Sequence, residues 1–319
     1  MSMSVSRRTF FATTAASVAA STLSSSQPAQ AAGETGLPFR FCLNTSTIRE
    51  CPYKGKKIDI VGGIEVASQA GYTGIEPWIG ELDAYVKNGG TLSDLRKRIA
   101  DAGLTVESAI GFAAFLHEDD AERQKGLEEA KRCMGLVREI GGTRIAAPPV
   151  GVTDKTGLDP LKLAARYRAL CDVGQQEGVA PQLELWGFAK TLARMGEVAF
   201  VGVEAAHPLA CVLLDIYHIF KGGSDFEGLG MFAASRMHNF HVNDYPGNPP
   251  RETINDSQRV YPGDGIAPLD KIFRTLRDNG YRGVLSLELF NRDYWKQDAF
   301  EVAKTGLEKT KAAVAKALA

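Results

Sequence analysis

Short apolar runs alternate with longer amphipathic stretches along most of this 319-residue chain. The runs fall near Arg40–Asn44, Gly74–Pro77, Thr105–Ile110, Arg144–Pro148, Pro181–Leu185, Val212–Ile216, Asn239–Asn243 and Val284–Leu289. Runs this short and this continuously apolar suit strands buried on both faces, as in a parallel sheet with crossover helices. Between them lie helical patterns. One follows Thr91 in TLSDLRKRIADAGL, with Gly103 as its stop, and another covers Asp119–Ile140 before Gly141-Gly142. A third, Asp159–Glu177, opens on Asp-Pro as cap and first-turn residue. Pro268–Asn279 and Asp298–Leu318 complete the set. Eight strand–helix units match the ~250 residues of a (β/α)₈ barrel plus loops. A doubly wound open sheet is the rival, but its Gly-rich first turn is missing where the first run leads into NTSTIRE. The expectation is an α/β fold, a (β/α)₈ TIM barrel forming a single domain over residues 32–319.

Polar residues end the last four strand-like runs: Glu184 in APQLELW, Asp215 in ACVLLDI, His241 in MHNFHVN and Glu288 in VLSLELF. Side chains alternate between the faces of a strand, so Glu184 shares a face with Gln182, Asp215 with Leu213, His241 with Asn239 and Glu288 with Ser286. Leu183, Leu214, Phe240 and Leu287 then face the helices. At the C-terminal mouth of a barrel the four terminal groups converge, where chemistry is done. Burying them costs free energy unless a partner satisfies them, and a cation would. Three carboxylates and one imidazole suit one divalent metal ion, Mn²⁺ above all, with Mg²⁺, Co²⁺ and Zn²⁺ acceptable. A single acid at a strand end is as readily a cap or an ion-pair partner; four in parity make coincidence a poor account.

Further candidates surround these four. His218, three residues past Asp215, could meet metal or substrate, or be a surface imidazole. His238 has the opposite parity to His241 and belongs to the outer layer, while His207 and His117 read as structural or solvated. Trp78, Trp186 and Phe112 follow strand ends, where their rings could stack on a sugar or simply pack as core or lid. Glu76 ends the second run and could bind a hydroxyl or anchor Trp78.

Composition narrows the class. Net charge is −1 and no basic stripe appears, which excludes nucleic acid as an expected partner. The N-terminus reads Ser6-Arg7-Arg8-Thr9-Phe10-Phe11, then a weakly apolar stretch to Ala29-Gln30-Ala31. This is the pattern of a bacterial Tat export signal over residues 1–31, with a periplasmic mature protein; the stretch is too short and Ser/Thr-rich to span a membrane stably. The five cysteines include no C-x-x-C, so buried free thiols are expected, with a Cys42–Cys51 bridge as the lesser alternative.

Several segments together resemble the xylose isomerase-like TIM-barrel superfamily, whose members include ketose 3-epimerases, inosose dehydratases and endonuclease IV. They are LELW around Glu184, DIYHIFKGGSD from Asp215, HVNDYPGN from His241, PGDG before a helix, and GYRGVLSLE ending at Glu288. The resemblance implies that Glu184, Asp215, His241 and Glu288 hold one metal, that Glu184 and Glu288 double as acid/base residues, and that His218 contacts substrate. Endonuclease IV uses additional His, whereas here only His117 precedes Glu184 and no Asp-x-His pair follows His241, so DNA repair is not expected. The segment Asp244–Pro262 is long, and no arginine stands where the epimerases have theirs; Arg251 or Arg259 takes that place, Arg259 in DSQRVYPGDG lying nearer a recognisable motif. The expected function is a metal-dependent sugar or keto-sugar isomerase or epimerase working through a metal-stabilised enediolate. The alternative is a lyase or dehydratase of oxidised sugars or glycosides, and a third reading is a non-catalytic periplasmic sugar-binding protein. The expected partner is a small sugar or keto-sugar; a homo-oligomer is left open.

Overall fold

The computed structural model describes residues 36–319, so the export signal expected at residues 1–31 lies outside the described residues. Eight parallel strands form the sheet: β1 (Arg40–Asn44), β2 (Gly74–Glu76), β3 (Thr105–Val106), β4 (Arg144–Ala147), β5 (Ala180–Glu184), β6 (Cys211–Asp215), β7 (Met237–Val242) and β8 (Val284–Leu287). Their order is β3-β2-β1-β8-β7-β6-β5-β4. The Ala146 amide donates to the Ala109 carbonyl at 2.8 Å, joining the two outermost strand segments. The fold is a single-domain (β/α)₈ TIM barrel, as the alternation of apolar runs and amphipathic stretches predicts.

Helix starts follow local chemistry. Asp59, Thr91, Asp119, Asp159 and Asp298 each accept a backbone N–H at the first turn of a helix, covering donors that have no intrahelical partner. Pro160 stands in the first turn after Asp159, where its missing N–H costs nothing. The chain following Thr91 is helical over Leu92–Asp101, and Gly103 then takes a φ of 72°, which a glycine adopts without strain.

Parity along the strands is as expected. Leu183, Leu214, Phe240 and Leu287 belong to the main core between sheet and helices. Ile110, Ala146 and Leu213 form a separate small cluster against Trp78 on the opposite face, inside the barrel. Deeper in, Gln182 donates to Ser108 at 3.0 Å, and Arg40 pairs with the buried Glu107. Register places His241 beside both Asp215 and Ser286, and Asn44 beside Glu76, so polar residues of neighbouring strands meet directly.

All five cysteines are free and buried, as expected, with no Cys42–Cys51 bridge. Two features differ from the sequence reading. The third strand pairs regularly only over Thr105–Val106; the chain then leaves the ladder, and Ile110 forms an isolated bridge with Trp78. A small antiparallel hairpin, Pro52–Tyr53 with Lys56–Lys57, follows β1. Its two turn residues, Lys54 and Gly55, both have positive φ, the geometry of a two-residue turn matched to strand twist. Among the described residues no helix is long and apolar enough to cross a membrane.

Candidate active site

Asp215, His241 and Glu288 bring one ligand atom each to within 4.8 Å of the others, and all three are buried. Asp215 ends β6, His241 is the penultimate residue of β7, and Glu288 follows β8. The His241 ring decides whether this group fits a divalent cation. Its Nε2 is fixed 2.9 Å from Glu76 Oε2, while its Nδ1 is buried without a hydrogen-bond partner. That free nitrogen lies 3.3 Å from Glu288 Oε2 and 3.9 Å from Asp215 Oδ2. An imidazole held from behind by a carboxylate, with its other nitrogen aimed at two acids, is the arrangement of a metal-ligating histidine. The donor set fits.

Each member is oriented by neighbours the sequence did not reveal. Asp215 Oδ1 accepts the His218 amide at 2.8 Å and so caps the short helix Ile216–Lys221, which turns Oδ2 toward the mouth. Asn243 donates to that Oδ2 at 2.9 Å while its own carbonyl holds the Tyr217 amide. Asn44 donates to Glu76 at 3.0 Å and to Glu288 at 3.1 Å, and its carbonyl accepts the Trp78 indole N–H at 2.9 Å. Glu76 was expected to bind a hydroxyl or anchor Trp78. It is instead fully buried and accepts from Asn44, Ser286 and His241 on a single oxygen; Trp78 is anchored by Asn44.

Arg259 crosses the mouth from the long loop after β7. Its Nη1 donates to Asp215 at 3.0 Å and to Glu288 at 2.8 Å, and its Nη2 lies 3.1 Å from His218 Nε2 and pairs with Asp256. The guanidinium also lies over the Tyr217 and Phe290 rings. The loop is pinned by Asp244, whose buried carboxylate gathers the amides of Tyr245, Gly263, Gly265 and Ala267. This explains the PGDG segment. A side chain on Gly265 would come within 2.3 Å of Asp244 Oδ1 and of the Tyr245 carbonyl.

Glu184 stands outside the three-residue cluster. The sheet register sets it beside Leu213, two residues short of Asp215 along the neighbouring strand, an offset of ~7 Å. Its Oε2 is buried without a partner. Burial, helped by the charges of Glu288 and Asp215 and opposed by His241, pushes its carboxyl up to about 8. Glu288 is pushed the other way: burial alone would raise it, but His241 and Arg259 overcome burial and hold it well below the usual carboxylate range. Burial would likewise lower His241, yet Glu288 and Glu76 raise it well above an ordinary imidazole. His218 is lowered, by burial first and by Arg259 second.

A cavity of about 350 Å³ opens above these groups, at the lower end of the ~300–1,000 Å³ of small-molecule pockets. Glu184, His218, Arg259 and Glu288 all line it. Its walls are an arc of rings: Phe290 to Trp78 at 6.0 Å, Trp78 to Phe112 at 5.3 Å, Phe112 to Trp186 at 6.1 Å and Trp186 to Phe188 at 5.0 Å. Phe188 then reaches His218 at 5.6 Å. Trp78, Trp186 and Phe112 are therefore brought together as expected, whereas Phe188, Phe290 and Asp256 were missed. Parity held the signal for two of them: Phe188 and Phe290 follow Glu184 and Glu288 by even numbers of residues. His117 and His207 are structural, each ring accepting a backbone amide two residues ahead.

Comparison with known proteins places this geometry. The model of the family described as xylose isomerase-like TIM barrel matches residues 64–313, and the chain belongs to that family. It is similar to an inosose isomerase of Bacillus velezensis, 26% identical over 282 residues that cover 87% of this chain and 98% of that one. A 3-dehydroshikimate dehydratase of Pseudomonas aeruginosa is 26% identical over 256 residues, covering 76% of this chain and 37% of that protein. Fructoselysine 3-epimerase of Escherichia coli O157:H7 is 24% identical over 254 residues, covering 73% and 86%. Among solved structures, the IolI protein with a bound zinc atom superposes with a TM-score of 0.79 at 22% identity, covering 87% of this chain and 99% of that one.

Proposed function

We propose that this chain is a divalent-metal-dependent enzyme that isomerises or epimerises a sugar or keto-sugar by moving a proton at a carbon next to a carbonyl. One observation carries the reading: Glu184 and Glu288, both buried, line the same cavity, beside the cluster of Asp215, His241 and Glu288. Two carboxyl groups opening on one space can serve one substrate as proton acceptor and proton donor, the division of labour that acid–base catalysis requires. The ionised Glu288 removes the proton, and Glu184 returns one at the other position or face. Both residues act in each direction of a reversible reaction.

Asp215, His241 and Glu288 would hold the cation, and Glu184, which lines the same cavity, would add a fourth carboxylate oxygen only in its ionised form. When bound, the metal supplies positive charge that polarises the carbonyl and stabilises the enediolate; Mn²⁺ suits the donor set best. Arg259 presents donors to substrate hydroxyls from one side, its Nη2 held by the His218 ring on the same wall, while Trp78, Phe112 and Trp186 offer ring faces to the C–H surface of a sugar. Asn44, Asn243 and Glu76 keep the ligands aimed, so that little reorganisation is needed when substrate enters.

A second reading within the same chemistry is a dehydratase or lyase, supported by the similarity to 3-dehydroshikimate dehydratases. It differs only after proton removal: a leaving group departs instead of a proton returning. Nothing in this reading needs nucleic acid or a second protein, although a homo-oligomer is compatible with it. We place the mature protein in the periplasm on the twin-arginine pattern at Arg7 and Arg8. The test is incubation of Mn²⁺-loaded protein with ketoses, inososes and 3-keto-glycosides, products being separated by mass. Products of unchanged mass support isomerisation or epimerisation. Loss of water or of an aglycone supports the second reading. Turnover undiminished in both Glu184→Gln and Glu288→Gln contradicts both.

A further inference from the structure

A second cavity, about 680 Å³, lies beside the first, and the two share Trp78 and Phe112 as lining residues. It is built from the hairpin loop after β1 and the helix Ile79–Lys87. Its lining is mixed: Ile58, Ile60, Ala84 and Tyr85 supply apolar surface, and Glu81 and Asn88 supply polar groups. No residue of the proposed acid–base or metal set lines it.

Arg49 links the two spaces. Its guanidinium lies 3.7 Å from the centroid of the Trp78 ring and 5.4 Å from that of Phe290, so it packs on the aromatic wall of the first cavity while lining the second. Its Nη2 is buried and has no hydrogen-bond partner. A guanidinium N–H left unpaired is costly, and because Arg49 as a whole is only half-buried, a rotation of its side chain would bring that donor to a ligand oxygen at the junction. Donors stacked on aromatic rings are suited to ligands that combine apolar faces with hydroxyl or ether oxygens.

Resting on the sugar reading above, we infer that the substrate is a glycoside rather than a free sugar. The ring that carries the reacting carbon occupies the mouth cavity, and the group joined through its glycosidic oxygen passes Trp78 and Phe112 into the second cavity, where Arg49 donates to one of its oxygens. A free monosaccharide would use only the first cavity and leave Arg49 without an acceptor.

The experiment is calorimetric titration of Mn²⁺-loaded full-length protein with glucose and galactose, then with their phenyl glycosides and with cellobiose and lactose. None of these carries the keto group at a ring carbon, so binding is read apart from turnover. The inference predicts at least tenfold tighter binding of one linked ligand than of its parent monosaccharide; the phenyl and disaccharide arms separate an aryl from a sugar aglycone. Ala84→Trp, which fills the second cavity from an exposed helix position, is expected to cancel that advantage so that both ligands bind alike. Arg49→Met, which keeps an unbranched side chain but has no donor, is expected to weaken the linked ligand five- to tenfold, with the melting temperature checked in both variants. Equal affinity for monosaccharide and glycosides overturns the subsite and leaves the sugar reading standing. An advantage that survives in both variants also overturns it. Absence of binding by every saccharide overturns the subsite too, while the sugar reading stands or falls on turnover of the ketose and keto-glycoside panel above.

Discussion

A carboxyl buried as Glu184 is keeps its proton until about pH 8, whereas in the unfolded chain it would lose it near 4.5. Between those values the unfolded state releases a proton that the folded state retains. The stability this group permits is therefore fully present below about pH 4.5 and is lost as pH rises toward 8. At pH 7 the loss in the metal-free protein is on the order of 3 kcal/mol. Glu184→Gln cannot ionise, so it is expected to melt higher than the native protein at pH 7 without metal, and the two curves should converge toward pH 5. Identical melting temperatures across that range would contradict the burial argument. Glu76 offers a separate prediction. It fixes the His241 ring through Nε2, so Glu76→Gln should weaken Mn²⁺ or Zn²⁺ binding ~10–100-fold with the fold retained, since loss of such an orienting partner has that effect. Unchanged affinity by calorimetry would show that His241 needs no such support. Asp215, His241 and Glu288 were legible as neighbours because parity and strand length are written in the sequence, whereas the offset of Glu184 from them was not. Asn44, Asn243 and the true partner of Glu76 were not, because which side chains touch across strands depends on register, and register emerges only when the barrel closes.

Between strands and helices, the long helices were legible where an Asp or Thr cap precedes an amphipathic run. The helices Ile79–Lys87 and Met195–Glu204 carry no such signal, because Trp78 and Arg194 stand at their cap positions. Trp78 occupies that position while its indole N–H is spent on Asn44 and its ring lines both cavities, so the site overrides the usual cap preference. The loop from Asp244 to Ala267 is the element that delivers Arg259. The sequence marked Asp244–Pro262 as long and PGDG as a motif, but the reason for Gly265 appears only when the Asp244 carboxylate is seen to gather four amides. Gly265→Ala is expected to destabilise the protein by about 1–3 kcal/mol through overpacking. It should also weaken substrate binding by displacing Arg259, read as a raised KM together with faster proteolysis within residues 244–267. A variant with native melting and native KM would mean that the loop tolerates what the geometry forbids.

At the scale of the whole molecule, fold class and the broad type of enzyme were legible together, because a barrel gathers its strand ends at one mouth. The identity of the sugar was not, because the cavity walls come from loops after several different strands and are assembled only in the folded chain. The proposed export would depend on the twin-arginine segment at Arg7 and Arg8. Replacing Arg7 and Arg8 by lysines is expected to leave the protein in the cytosolic fraction at full length, since the Tat receptor reads paired guanidinium groups; unimpaired periplasmic delivery of that variant would contradict the assignment. The central claim is proton transfer between Glu184, Glu288 and a carbon next to a carbonyl, and solvent exchange tests it most directly. In D₂O, with Mn²⁺ present and a converted substrate from the panel, recovered substrate or product should carry deuterium at that carbon. Glu184→Gln and Glu288→Gln should each reduce incorporation by two or more orders of magnitude, in line with the ~10²–10⁴-fold that acid–base catalysis contributes. Conversion at the native rate with no solvent deuterium at any carbon adjacent to the carbonyl would contradict the account and point to direct hydride transfer between adjacent carbons instead.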